Sequence, residues 1–131
     1  MIAVDTNVLV RLLVNDDAAQ AARARDLVDA QAGDDGSIWL SDTVLVELVW
    51  VLTRAYDRSR EAMAAALRAL AAHATMTLES PLAVRAAIAV FEAGTADFAD
   101  CLLAEKAQRG GCAQLFTFDK GMRGLAGVKL L

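Results

Sequence analysis

The chain has 131 residues, thirteen basic side chains against seventeen acidic ones, and a formal charge of −4. That length suits one domain around one core, residues 1–131. A mean hydropathy of +0.38 raises the question of a membrane span. The longest apolar stretch, Val44 to Leu52, is interrupted by Glu47 and falls far short of the roughly 20 residues a span requires.

The first residues, Met1-Ile-Ala-Val-Asp5, lack a basic segment and reach an acid too early for a signal peptide, so a soluble, cytoplasmic protein is expected. Ile2–Val4 reads as a short strand running into Asp5-Thr6-Asn7, a turn. Val8–Val14 reads as a short helix. Ala18–Gln31 is an alanine-rich helix with Leu27 and Val28 inward and Arg23 and Arg25 outward, closed by Gly33 and Gly36. Ser37–Leu40 is a second strand. Ser41 or Asp42 caps the helix that follows, through Val44–Leu52 to about Tyr56. Ser59 caps another from Arg60 to about Ala72.

Thr75–Leu78 is β-prone, and Ser80-Pro81 opens a helix with proline in its first turn, stopped by Gly94. Asp97-Phe-Ala-Asp100 starts a helix to Arg109, ended by Gly110-Gly111. Gln114–Phe118 is a strand followed by Asp119, and Val128–Leu131 an edge strand. Short strands alternating with helices predict an α/β fold with a parallel sheet covered on both faces.

The acids are unevenly chosen: twelve Asp and five Glu, beside ten Arg and three Lys. Asp is a compact ligand for hard cations, and Arg a good fork for phosphate. A single His73 rules out a histidine-built zinc site. Cys101 and Cys112 are too few for a metal knuckle and read as free thiols.

Five acids stand in unusual places. Asp5 and Asp119 each follow a strand, where an open parallel sheet forms its ligand crevice; a solvated turn or helix cap explains either one alone. Glu47 lies among Val44, Leu45, Val46, Leu48, Val49 and Trp50, so it is expected beside the core. There an unpaired carboxylate costs several kcal/mol and demands an Arg or a metal. Asp97 and Asp100 share one side of a first helical turn. Capping accounts for Asp97 and less well for Asp100, which Cys101, Leu102 and Leu103 draw inward. Carboxylates that converge about 4 Å apart repel by roughly 4 kcal/mol at an effective dielectric near 20. Oxygen-only ligands of this kind point to Mg²⁺ or Mn²⁺ and to phosphodiester hydrolysis. A bound ion also inverts the local sign, so the net charge does not oppose a nucleic-acid substrate.

Asp5-Thr-Asn7, Glu47, Ala96-Asp-Phe-Ala-Asp100-Cys-Leu-Leu-Ala104 and Phe116-Thr-Phe-Asp119, in this order and spacing, resemble the PIN-domain ribonucleases, most closely the VapC-type toxins of bacterial toxin–antitoxin pairs. The resemblance spans nearly the whole chain. It implies a PIN-like three-layer α/β/α fold with a short-stranded, mostly parallel central sheet. It also implies a metal-dependent endoribonuclease acting on tRNA or rRNA. By position, Asp5, Glu47 and Asp100 match the core acids, Asp119 the more variable fourth, and Asp97 an accessory one. Asn7, Thr117 and Ser41 match supporting positions. The same resemblance implies a homodimer and a cognate VapB-like antitoxin. Val8, Leu9, Leu12, Leu13, Val49, Trp50 and Leu52 are candidates for its apolar surfaces, with core packing as the default. Arg11, Arg54, Arg58, Arg60, Arg109 and Arg123 are available for phosphate.

Three other readings stay open. A PIN-fold module could bind RNA without turnover. An aspartyl-phosphate phosphatase also begins with a strand ending in Asp, but needs a second Asp where Asn7 stands. A receiver-like switch would use Asp119-Lys120 yet leaves Glu47 without a role.

Overall fold

A computed structural model describes all 131 residues, which form two compact units, Met1–Ser80 and Pro81–Leu131. In the first unit β1 (Ile2–Ala3) leads through α1 (Thr6–Leu13) and α2 (Ala18–Ala30) to β2 (Ile38–Leu40). The chain then passes through α3 (Asp42–Tyr56) and α4 (Arg60–Ala72) to β3 (Met76–Leu78). The sheet order is β1-β2-β3, both pairs parallel, with Ile2 opposite Ile38 and Ile38 opposite Met76. Parallel neighbours require crossovers, and two helices make each one here. Caps set the boundaries: the Asp17, Ser41 and Ser59 side chains accept from backbone N–H groups in the first turns of α2, α3 and α4.

The core of this unit lies between its helices and sheet. Leu9 and Val10 of α1, Ile38 and Leu40 of β2, and Leu45, Leu48 and Leu52 of α3 are buried, joined by Met63, Leu67 and Leu70 of α4. Each such side chain contributes about 1.5–3 kcal/mol. Leu9, Val49 and Leu52 are therefore core rather than docking surface, while Val8, Leu12 and Leu13 are half-buried and Trp50 is 60% exposed. In α2 the buried residues are Ala21 and Ala24, whereas Leu27 and Val28 are only half-buried. Small side chains let α2 approach α1 closely, so its inward face is made of alanine rather than leucine.

A polar tie closes the α1–α2 corner. Arg11 donates to Asp16 Oδ1 (2.8 Å) and to Gln20 Oε1 (2.6 Å), and the Tyr56 hydroxyl donates to Asp16 Oδ2 (2.6 Å). Arg11 is thereby engaged within the fold and not free for phosphate. The Tyr56 hydroxyl, followed by the Arg11 charge, holds the Asp16 carboxyl below the usual carboxylate range. A depressed folded value contributes stability above the ordinary Asp range, lost as pH falls through that value. Tyr56→Phe is therefore expected to lower the melting temperature at neutral pH, with the difference from wild type closing below about pH 3. Thermal melts across pH check this, and a difference independent of pH contradicts it.

In the second unit α5 (Pro81–Ala93) packs on α6 (Phe98–Arg109), and β4 (Leu115–Thr117) pairs in parallel with β5 (Val128–Leu130). Ala83, Val84, Ala87, Ile88 and Phe91 of α5 are buried, as are Phe98, Cys101, Leu102 and Ala104 of α6. The Phe91 and Phe98 rings meet edge to face, centroids 5.9 Å apart at 79°. Cys101 is buried and Cys112 exposed, both free thiols. Every strand pair is parallel, as expected, although the ladders form one three-stranded and one two-stranded sheet. No helix is long and apolar enough to cross a membrane.

Candidate active site

In the first unit, Asp5 stands just past β1 with extended backbone and caps α1, Oδ1 accepting from the Val8 N–H at 3.2 Å. One residue on, Thr6 is buried and its hydroxyl donates to Glu47 Oε2 at 2.9 Å. This bond ties the end of β1 to the middle of α3. Nothing in the sequence marks Thr6, because a β-branched residue opening a helix gives no sign of what its hydroxyl reaches.

Glu47 is not beside the core. It is exposed, partnered by Thr6, with no buried Arg against it. The helical period explains the difference: Leu45, Leu48, Val49 and Leu52 fill the inward face, leaving Glu47, Trp50 and Arg54 along the outward one. Arg54 stacks over the Trp50 ring at 5.7 Å.

Ser41 caps α3, its Oγ accepting from Val44 N–H at 3.1 Å. Beside it Asp42 is buried; Ser80 Oγ donates to its Oδ2 at 2.8 Å, and its own N–H donates to Glu79 Oε1 at 3.3 Å. The start of α3 is thus held to the segment that follows β3. Asn7 is exposed and lines a groove with Val8, Ala24 and Leu27.

In the second unit the charges of two carboxylates, Asp119 and Asp97, bear on a third, Asp100. Asp97 occupies the N-cap position of α6 without making a side-chain cap hydrogen bond, so capping does not account for its carboxylate. Asp100, one turn on, is half-buried because Cys101 and Leu102 beside it are buried. Burial pushes its carboxyl above the usual range, and the charges of Asp119 and Asp97 push it further. Asp119 follows β4, its N–H donating to Thr117 Oγ1 (3.0 Å) and its Oδ1 accepting from Gly121 N–H (2.7 Å). A Cβ at Gly121 would lie 3.0 Å from Asp119 Oδ1, so glycine permits this close turn. Thr117 therefore stands beside the acid it was expected to support.

These donors fit a hard divalent cation in kind: they are all oxygen, and the half-buried Asp100 has the charges of Asp119 and Asp97 bearing on it. No three His, Cys, Asp or Glu side chains of the chain are gathered closely enough to hold a metal ion.

A family model described as the PIN domain matches residues 2–128. The chain belongs to the PIN domain family. Membership accounts for the α/β fold class, with six α-helices around mostly parallel strands. PIN domains are generally nuclease domains that need a divalent metal. Among curated proteins, none matches the chain.

Proposed function

We propose that this PIN domain is a metal-dependent endoribonuclease that cleaves structured RNA, tRNA or rRNA, as the VapC-type toxin of a toxin–antitoxin pair. The observation that carries the nuclease reading is a half-buried Asp100 on which the charges of Asp119 and Asp97 bear, in a PIN chain. Asp5, Glu47, Asp100 and Asp119 are the proposed ligands for Mg²⁺ or Mn²⁺, with Asp97 accessory. The toxin reading draws support from the order and spacing of these acids. The family match extends across both compact units, which supports residues 1–131 acting as one catalytic domain.

When bound, the divalent ion supplies charge neutralisation at the scissile phosphate and a more acidic water. The chain's own groups supply orientation. Thr6 fixes the Glu47 carboxylate, while Thr117 and the Gly121 N–H fix Asp119. Asp97 makes no capping bond, so its carboxylate would be available as the accessory ligand. In the same proposal the chain is cytoplasmic and homodimeric, with exposed Trp50 contributing to the apolar contact surface. A VapB-like antitoxin restrains it.

Asp5→Asn is expected to lower RNA cleavage with Mg²⁺ by about 100-fold or more, since even outer partners of metal ligands are worth about 10–100-fold. Chelation should abolish the wild-type activity. Full activity in the variant overturns the ligand assignment. RNA binding with no cleavage under Mg²⁺ or Mn²⁺ would favour a PIN module without turnover. Mapping new RNA ends after induction identifies the substrate and tests the toxin role.

A further inference from the structure

The four phenylalanines divide into two pairs. Phe91 and Phe98 are buried against each other, whereas Phe116 is 52% and Phe118 81% exposed. The exposed two are two residues apart, Phe116 in β4 and Phe118 directly after it in the bend that leads to Asp119. Lys129 of β5 is the register partner of Phe116 and is exposed as well. Lys120 and Arg123, also exposed, follow in the turn beyond Phe118.

Charge is concentrated in the same stretch. Positions 106–131 hold five basic side chains, all three lysines among them, against the single acid Asp119. Arg109 pairs with Glu105 at 3.7 Å and, with Lys106, belongs to α6, so Lys120, Arg123 and Lys129 are the cations of the β4–β5 region, beside Asp119. Two exposed rings on one short segment, with lysine and arginine near them in the chain and across the ladder, are complementary to unpaired bases and their phosphates. Base–aromatic stacking supplies attraction without sequence preference, and lysine and arginine follow the backbone. A protein-binding face would be depleted of lysine, whereas Lys129 stands directly across the ladder from Phe116.

We propose that the β4–β5 face is a stacking platform for single-stranded segments of the RNA substrate. Phe116 and Phe118 each receive a base, while Lys129, Lys120 and Arg123 contact phosphates. The proposal rests on the RNA reading above and extends it. It delivers a loop or unpaired end to the strand terminus that carries Asp119.

The test measures binding of a fluorescein-labelled twelve-nucleotide oligouridine to the full chain by anisotropy, in chelator, so that cleavage plays no part. Phe116→Ala and Phe118→Ala are each expected to weaken binding about tenfold, and Phe118→Trp to retain it. Lys129→Ala should reduce the salt slope of log Kd by about 0.7. Unchanged affinity in a folded F116A/F118A double variant overturns the platform, as does failure of the wild type to bind. Weakened binding accompanied by a change of oligomeric state in light scattering assigns the face to copy–copy contact and also overturns it. Binding that depends on Phe118 in a chain unable to cleave RNA sustains the platform and refutes only the nuclease reading. Normal cleavage with affinity indifferent to both rings does the reverse.

Discussion

Asp100→Asn is expected to remove RNA cleavage, by about 100-fold or more, and at the same time to make the metal-free protein more stable. The two effects share one cause. Asp100 is half-buried, and Asp119 and Asp97 bear on it, so its ionised form is disfavoured in the folded chain. A carboxyl whose folded value is raised binds its proton more tightly in the native state. Stability therefore falls as pH rises from the ordinary Asp range through the raised value, and the penalty is complete above it. The amide carries no such penalty. Solvent screens a half-buried group, so the gain is roughly a few tenths of a kcal/mol, or about one degree in melting temperature. Melts in chelator at neutral pH should place the Asn variant above wild type, with the order reversed in Mg²⁺. A variant less stable than wild type in chelator contradicts this account of the site.

Phe98→Ala is expected to cost about 3–5 kcal/mol, a large share of the 5–15 kcal/mol typical of a domain. Phe98 is 1% exposed, packs edge to face on Phe91, and lies between Asp97 and Asp100. It anchors the turn that presents both acids. Phe98→Leu retains most of the apolar volume but loses the ring contact, and should cost distinctly less. Urea titrations of the two variants measure the difference; equal losses would contradict a contribution from the retained volume, and no loss in the leucine variant would show that the ring contact adds nothing beyond it.

Local chemistry made the elements legible. Ser41 and Ser59 cap the helices they were expected to cap, Pro81 opens α5, and α4 runs over Arg60–Ala72 as its cap and apolar spacing predict. Faces were harder to read where composition is nearly uniform. In α3 apolar residues stand at almost every position, so the sequence does not show that Glu47 lies on the outward side; only the packing of Leu45, Leu48 and Leu52 selects the face. In α2 alanine carries the inward face, and alanine gives no hydrophobic contrast. At the candidate site, the charges of Asp119 and Asp97 bear on Asp100, and the Thr117 hydroxyl accepts from the Asp119 backbone N–H. The Thr6–Glu47 bond was hidden because its partners are 41 positions apart.

The link from β4 to β5 has a consequence for how this chain can vary. Parallel strands are ordinarily joined by a dozen or more residues containing an α-helix. Here ten suffice, bent by a single 3₁₀ turn and by left-handed Gly124 and Gly127. The Leu115 N–H donates to the Gly127 carbonyl at 2.8 Å, which fastens the far end of the link to the start of β4. A span this short has no slack, so one inserted or deleted residue would shift the register of β5 or move Asp119. By contrast the exposed turns at 31–36 have room to change length. Indels in this lineage should therefore be tolerated between α2 and β2 and purged between β4 and β5.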